Sequence, residues 1–296
     1  MKILIIGSKG FIGSHCVEYF SKTHDVWQCD VVSDYVSSNY FTIDATNADF
    51  NDIFQKQIFD FCINCSGAAS VPDSIKNPQR DFNLNVLNVY KQLDSIRKYN
   101  PDCKYINFSS AAVYGNPKSL PIIEDAEINP ISPYGYHKRM AEKICEEFYE
   151  TFKISTCSLR VFSAYGPGLQ KQLFWDLNKK SLNKTVELFG TGNESRDFIY
   201  ITDLVEAVNC VILNSIFEAE ILNIASGKEV IIKNVVGTFY SFFNKEIQYK
   251  FLGNKREGDP SNWKADISKI KNYGFTPKVS IDMGLKKYVQ WLQENA

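Results

Sequence analysis

The sequence predicts an α/β fold: a doubly wound parallel sheet with a smaller, mixed α/β C-terminal part. Three observations predict it. Short apolar runs alternate with amphipathic helical stretches over roughly the first 160 residues. The runs are continuous rather than alternating, which suits strands buried on both faces. The first run leads straight into a glycine-rich turn that opens a helix.

Taken in order, Lys2–Ile6 is an unbroken apolar run and reads as the first strand. Phe11–Phe20 carries helical spacing, and Val26–Cys29 is a second strand. Phe59–Cys65 reads as a strand. Pro78–Lys98 reads as one long helix with Phe82, Val86, Val89 and Leu93 on one side. Lys104–Phe108 is a strand, Tyr134–Thr151 a helix and Ile154–Val161 a strand. After Gly166-Pro-Gly168 the rhythm breaks into shorter elements, with loops at 190–192, 226–228 and 253–260. The expected division is a first domain over 1–165, with segments near 197–225 and 264–274 returning to it, and a second region over 166–296.

Composition narrows the function. The 296 residues hold 33 basic and 34 acidic side chains, a net charge of −1, with 44% hydrophobic and 23% charged residues. No charge excess points to nucleic acid or an anionic membrane as partner. No apolar run approaches the roughly 20 residues of a membrane span. The N-terminal residues run directly into a strand, so a signal peptide is not expected. Eight cysteines are too dilute for a disulfide scaffold, and several lie in apolar runs, so buried reduced thiols and a cytoplasmic location are expected. Cys62 and Cys65 fall on a strand at odd spacing, which points them to opposite faces. His15, His24 and His137 show no zinc spacing, and no metal site is expected.

Three motifs carry chemistry. The first is Gly7-Ser-Lys-Gly10-Phe-Ile-Gly13, between the first strand and the first helix. A glycine turn lets backbone N–H groups approach a pyrophosphate, and the helix N-terminus favours its charge. Alone, the spacing also fits a plain turn. Asp30 ends the second strand 17 residues beyond Gly13, where an acidic partner for a ribose hydroxyl is expected. No Lys or Arg follows between Val31 and Tyr40. Asp30 would repel a 2′-phosphate, so NAD is expected rather than NADP. Asp44 is a candidate adenine contact.

The second motif is Tyr134-Gly-Tyr-His-Lys138, behind a Ser132-Pro133 helix start. Tyr134 and Lys138 are i and i+4 on one helix face. An ammonium there is expected to lower the tyrosine pKa from about 10 and make it a general base for alcohol oxidation. A surface tyrosine–lysine pair fits the same spacing. The third motif is Phe108-Ser-Ser110-Ala-Ala-Val-Tyr-Gly115, at a strand's C-terminal end, where a doubly wound sheet places its ligand. Ser110 could hydrogen-bond both a substrate hydroxyl and the tyrosine. An ordinary serine-rich turn is the alternative.

Together, in this order, the three motifs resemble the extended short-chain dehydrogenase/reductase superfamily, in its NAD-dependent sugar-nucleotide epimerase/dehydratase branch. Further matches are Ser66-Gly-Ala-Ala-Ser-Val71, Asn83-Leu-Asn85-Val, Leu159-Arg-Val-Phe-Ser-Ala-Tyr-Gly-Pro167, Gly190-Thr-Gly-Asn-Glu-Ser-Arg-Asp-Phe198 and Arg256-Glu-Gly-Asp259. The likeness covers nearly the whole chain. It implies a Rossmann-type NAD-binding domain followed by a smaller substrate domain. It implies that Gly7, Gly10, Phe11, Ile12 and Gly13 line the pyrophosphate, Asp30 the ribose, and Asp44 with Ala45 the adenine. Ala68, Ala69 and Asn85 would lie beside the cofactor. Tyr134 would be the catalytic acid/base, Lys138 would grip the nicotinamide ribose, and Ser110 matches the catalytic Ser/Thr position. Ser110, Ser163, Arg196, Arg256, Asp259 and Trp263 would meet an NDP-sugar. Trp263 would favour plain hexoses over N-acetylhexosamines, or else simply pack under the 253–260 loop.

Departures refine the activity that the resemblance implies. Dehydratases of this branch carry Thr-Asp-Glu where this chain has Ser110-Ala111-Ala112, and alanines cannot transfer the protons of water elimination. Ser163 stands where epimerases usually have asparagine. The implied activity is an NDP-sugar 4-epimerase, with the UDP-glucose/UDP-galactose type favoured. An NAD(P)H-dependent NDP-4-keto-6-deoxy-sugar reductase is the alternative, and a non-catalytic NAD-binding regulator a remote one. A homodimer is implied through the helices at 81–98 and 134–151, unless their apolar faces are spent on the sheet.

Overall fold

The computed structural model describes residues 1–182, 185–243, 246–254, 258 and 260–295. Its first half runs β1 (Lys2–Ile6), α1 (Phe11–Phe20), β2 (Asp25–Asp30), β3 (Tyr40–Thr42), α2 (Asn51–Lys56) and β4 (Phe61–Asn64). Then come α3 (Val71–Lys76), α4 (Pro78–Phe82), a π turn (Asn83–Leu87), α5 (Asn88–Tyr99), β5 (Lys104–Ser110), a 3₁₀ turn (Ala111–Tyr114), α6 (Pro133–Phe152) and β6 (Thr156–Val161). The expected strands and helices appear in order with boundaries moved by a few residues, and the short β3, α2 and α3 are additions to them.

Seven strands form one wholly parallel sheet in the order β10-β6-β5-β4-β1-β2-β3. β1 lies between β2 and β4, with Ile3 opposite Val26 on one side and Phe61 on the other. The chain winds first toward β3 and then back toward β10, so the order reverses beside β1. That reversal opens a crevice at the C-terminal strand ends, where such sheets bind ligands.

Alternate side chains of β1 explain the two layers. Ile3 and Ile5 enter one core cluster, and Leu4 and Ile6 enter the other. Cys62 joins the second cluster while Cys65 packs on the first, as their odd spacing requires. All eight thiols are free.

The long helix at 78–98 departs from the expected single run. The π turn at Asn83–Leu87 interrupts it. A π turn adds a residue to the helical turn and shifts the phase of everything beyond it. Val86, Val89 and Leu93 are buried, but Phe82 is left 39% exposed. A strictly helical repeat places all four on one face.

The second half runs β7 (Ser163–Tyr165), α7 (Gln172–Lys180), β8 (Thr185–Leu188), β9 (Ser195–Tyr200), α8 (Ile201–Asn214), β10 (Glu218–Ile224), β11 (Glu229–Ile231), α9 (Ile232–Ser241), β12 (Gln248–Phe251), α10 (Ser268–Asn272) and α11 (Ile281–Glu294). β10 joins the large sheet, α8 packs on α1, and α10 packs on β10 and α8. The rest builds a three-stranded sheet β11-β9-β7 and a parallel pair β12-β8. Among the described residues no helix is long and apolar enough to cross a membrane.

Candidate active site

A cavity of about 680 Å³ lies at the C-terminal ends of the strands. One wall is the start of α1, with Gly10, Phe11 and Ile12. Gly7 adopts a positive φ of 80° and leaves no room for a side chain, since a Cβ would stand 2.7 Å from the Ser66 nitrogen. A Cβ on Gly13 would stand 2.0 Å from the Gly7 carbonyl oxygen, so only glycine lets α1 start this close to the turn. Among the described residues no side chain caps the N-terminus of α1. Its first N–H groups therefore suit a bound anion, and the cradle fits a dinucleotide pyrophosphate.

Asp30 ends β2 beside this turn and is buried. Its carboxylate accepts from the Lys9 N–H at 2.8 Å and the Val31 N–H at 2.7 Å. Asn85 sits on the π turn, buried against Gly67 in the cavity wall, and neither of its side-chain polar atoms has a hydrogen-bond partner among the described residues. A buried amide left unsatisfied in this way is costly unless a water or ligand meets it. Ala68 and Ala69 line the cavity. Asp44 and Ala45 are exposed and outside it. The Asp44 carboxylate is occupied by its own turn, accepting from the Thr46 hydroxyl and N–H and from the Asn47 N–H, which hold it below the usual carboxylate range.

Ser110, Tyr134 and Lys138 meet in the opposite wall. Ser132 caps α6 by accepting from the Gly135 N–H at 3.2 Å, with Pro133 at the first helical position. The bare Gly135 lets the helix approach the 3₁₀ turn, since a Cβ there would lie 2.6 Å from the Ala112 carbonyl oxygen. That approach brings the Tyr134 side chain beside Ser110, close enough for the serine to favour its phenolate. Lys138 is buried, and its ammonium donates to the Phe108 carbonyl at 2.8 Å. It lies 5.9 Å from the Tyr134 ring centroid.

The electrostatics correct one expectation. Tyr134 is not acidified here. Burial pushes its pKa up to about 12, Ser110 draws it down, and nearby Asp81 raises it further. The main effect of burial on Lys138 is to lower its own pKa to about 8. Spacing on a helix shows that two groups are neighbours, but not that both are desolvated.

Ser163, Arg196 and Trp263 line the same cavity. Trp263 is buried against Phe162, with its indole N–H donating to the Gly115 carbonyl at 3.0 Å. The Arg196 guanidinium lies 5.5 Å over the Trp263 ring and donates to the Ser195 carbonyl at 2.8 Å. Arg256 and Asp259 lie outside the described residues.

Three charged features were missed in the sequence. Lys9 reaches the Asp30 corner from within the glycine turn. Buried Asp81 meets His137 Nδ1 at 2.6 Å, beside Tyr134 and Lys138. Glu142 and Arg160 form a buried ion pair under α6. Only Glu142 carried a local signal, standing four residues after Lys138 on the same face.

A model of the NAD dependent epimerase/dehydratase family matches residues 3–225. The chain is 28% identical to the UDP-glucose 4-epimerase of Lactobacillus helveticus, over 94% of this chain and 92% of that protein. It superposes with a TM-score of 0.91 on a Bacillus cereus UDP-glucuronic acid 4-epimerase solved with UDP-glucuronic acid and NAD, at 26% identity over the whole of both chains. It superposes at 0.89 on a Methanobrevibacter ruminantium UDP-N-acetylglucosamine 4-epimerase solved with UDP-N-acetylmuramic acid, at 26% identity over 100% of this chain and 99% of that one.

Proposed function

This chain belongs to the NAD dependent epimerase/dehydratase family, and on that premise we propose that it is an NDP-sugar 4-epimerase of the UDP-glucose/UDP-galactose type. The observation that carries this reading is the meeting of Ser110, Tyr134 and Lys138 in the wall of one cavity with Arg196. Ala111 and Ala112 supply no acid at the positions where dehydratases of this branch carry one, which speaks against a 4,6-dehydratase. The related proteins described above are named for UDP-sugars, which supports uridine diphosphate as the carrier.

NAD is the cofactor, and when bound it supplies a two-electron acceptor that takes hydride from C4 and gives it back. Gly7, Gly10, Gly13, Phe11 and Ile12 would hold its pyrophosphate, and Asp30 its adenosine ribose. Ala68, Ala69 and Asn85 would border it, with Asp44 and Ala45 toward the adenine. Lys138 would hold the nicotinamide ribose. Tyr134 takes the proton of the 4-hydroxyl as the C4–H bond breaks, leaving a 4-keto sugar. Ser110 donates to the Tyr134 oxygen and favours its phenolate. The keto sugar turns over within the cavity, and Tyr134 returns the proton to O4 when hydride arrives on the opposite face.

Arg196 suits the diphosphate, because a guanidinium fork matches phosphate oxygens. Ser163 lines the same site, and Arg256 and Asp259 are assigned to the sugar nucleotide by the resemblance alone. Trp263, pinned to Gly115, restricts room beside the sugar, which supports a plain hexose.

The test is direct. Purified protein incubated with UDP-galactose and no added dinucleotide is expected to form UDP-glucose. If UDP-hexoses stay inert while a 4-keto-6-deoxy sugar nucleotide consumes added NADH or NADPH mole for mole, the protein is a reductase instead.

The outer faces of α4, α5 and α6 support a homodimer. Their inner residues Val89, Leu93, Ala141 and Phe148 are spent on the sheet, yet Phe82, Tyr90, Tyr136 and Met140 remain exposed. Apolar exposure gathered on three helices, with α4 and α5 both packed on α6, suits a second copy of the chain. A sedimenting mass of one chain would remove this part of the reading.

A further inference from the structure

The corner of the cofactor cradle at the end of β2 contains a cation. Lys9 lies in the glycine turn, its backbone N–H bound to Asp30. Its ammonium turns away to meet Asp34 at 2.5 Å, 5.1 Å from the centre of the Tyr40 ring. Asp34 is itself fixed by the loop between β2 and β3. It accepts from the N–H groups of Val36 and Ser37 at 2.9 and 3.0 Å and from the Ser37 hydroxyl at 3.1 Å. Lys9 and these loop groups hold the Asp34 carboxyl well below the usual carboxylate range, so it stays ionised. The Tyr40 hydroxyl bonds the Val32 carbonyl and closes the other side of the loop.

We propose that Asp34 is a specificity-determining residue for the cofactor: by engaging the Lys9 ammonium, it keeps the ribose corner from accepting a 2′-phosphate. Two carboxylates, Asp30 and Asp34, stand against one lysine in this corner. A ribose 2′-hydroxyl can donate to Asp30 under those conditions, whereas a 2′-phosphate meets uncompensated carboxylates. Without the Asp34 charge, the same ammonium becomes the cation that a 2′-phosphate requires. The corner thus holds the parts for either cofactor, and Asp34 selects between them.

The inference rests on the reading that Asp30 faces the adenosine ribose, but not on any sugar chemistry, so a binding measurement tests it apart from the epimerase reading. Each protein is exchanged to equilibrium against an equimolar mixture of NAD⁺ and NADP⁺, separated from free dinucleotide, and its retained dinucleotide identified by mass. Wild type is expected to retain NAD⁺ almost alone. Equal retention by wild type would overturn the placement of Asp30, and this inference with it. Asp34→Asn is expected to raise the NADP⁺:NAD⁺ ratio at least about tenfold, the scale of one charge-assisted contact. Adding Lys9→Met to Asp34→Asn is expected to return the ratio to the wild-type value. An unchanged ratio in Asp34→Asn, a gain that survives Lys9→Met, or loss of both dinucleotides in Asp34→Asn would each overturn the proposal. The last outcome would make Asp34 only an organiser of its loop.

Discussion

Tyr134→Phe is expected to lower turnover at least about a hundredfold, the usual worth of a positioned general acid or base. The dinucleotide is expected to stay bound. The substitution removes one hydroxyl and keeps the ring that lines the cavity. Ser110 cannot take over, because a neutral serine hydroxyl is a far weaker base than a phenolate. With burial holding Tyr134 up at about 12, the unliganded phenol is protonated at neutral pH. Turnover then rests on what Ser110 and the bound cofactor do to favour phenolate. Steady-state rates checked against retained dinucleotide decide the matter. Near-wild-type turnover would mean that another group moves the proton.

Glu142→Leu is expected to cost about 3–5 kcal/mol of stability, the scale for stranding one partner of a buried ion pair. Arg160 donates from Nε and Nη2 to the two Glu142 oxygens at 2.8 and 2.9 Å, and neither residue is more than 2% exposed. The network spreads from there. Arg160 also donates to the Tyr114 hydroxyl and the Glu124 carbonyl, and Glu142 accepts from Ser109 and Arg139. It therefore ties α6, which carries Tyr134 and Lys138, to the strand end that carries Ser110. Burial alone would raise the Glu142 carboxyl, but Arg160, helped by Ser109 and Arg139, holds it below its ordinary value. A carboxyl lowered on folding stabilises above its unfolded pKa, about 4.3, and loses that contribution as pH falls below it. Glu142→Leu with Arg160→Leu is expected to cost less than the two single changes together, because no charge is left stranded. Urea unfolding of the four proteins measures this. Strict additivity would contradict the coupling.

The five inner strands β1, β2, β4, β5 and β6 were legible because they are largely buried and read as apolar runs, whereas the edge strands β3 and β10 are only partly buried, and the charged start of β10 hides its period. Phe11–Phe20 matches α1 to the residue. The π turn at Asn83–Leu87 was not legible, since an apolar period drifts across it without a break in the sequence. The helix cap at Ser132 and the pairing of Tyr134 with Lys138 follow from local spacing. Their burial does not, and burial set the direction of both pKa shifts. Lys9 escaped notice because a search for cations downstream of Asp30 cannot find one that returns from 21 residues upstream. Arg160 lies on β6 and Glu142 on α6, and nothing in their spacing joins them. Only their meeting under α6 shows that each is there for the other.

The central claim is that hydrogen leaves C4 and returns to C4 within one cavity while Tyr134 carries the hydroxyl proton. The incubation described above, run with UDP-galactose deuterated at C4 in ordinary water, tests this most directly. The UDP-glucose formed is expected to keep the deuterium at C4. Product carrying ordinary hydrogen at C4 would mean that the hydrogen left as an exchangeable proton, and would contradict the account.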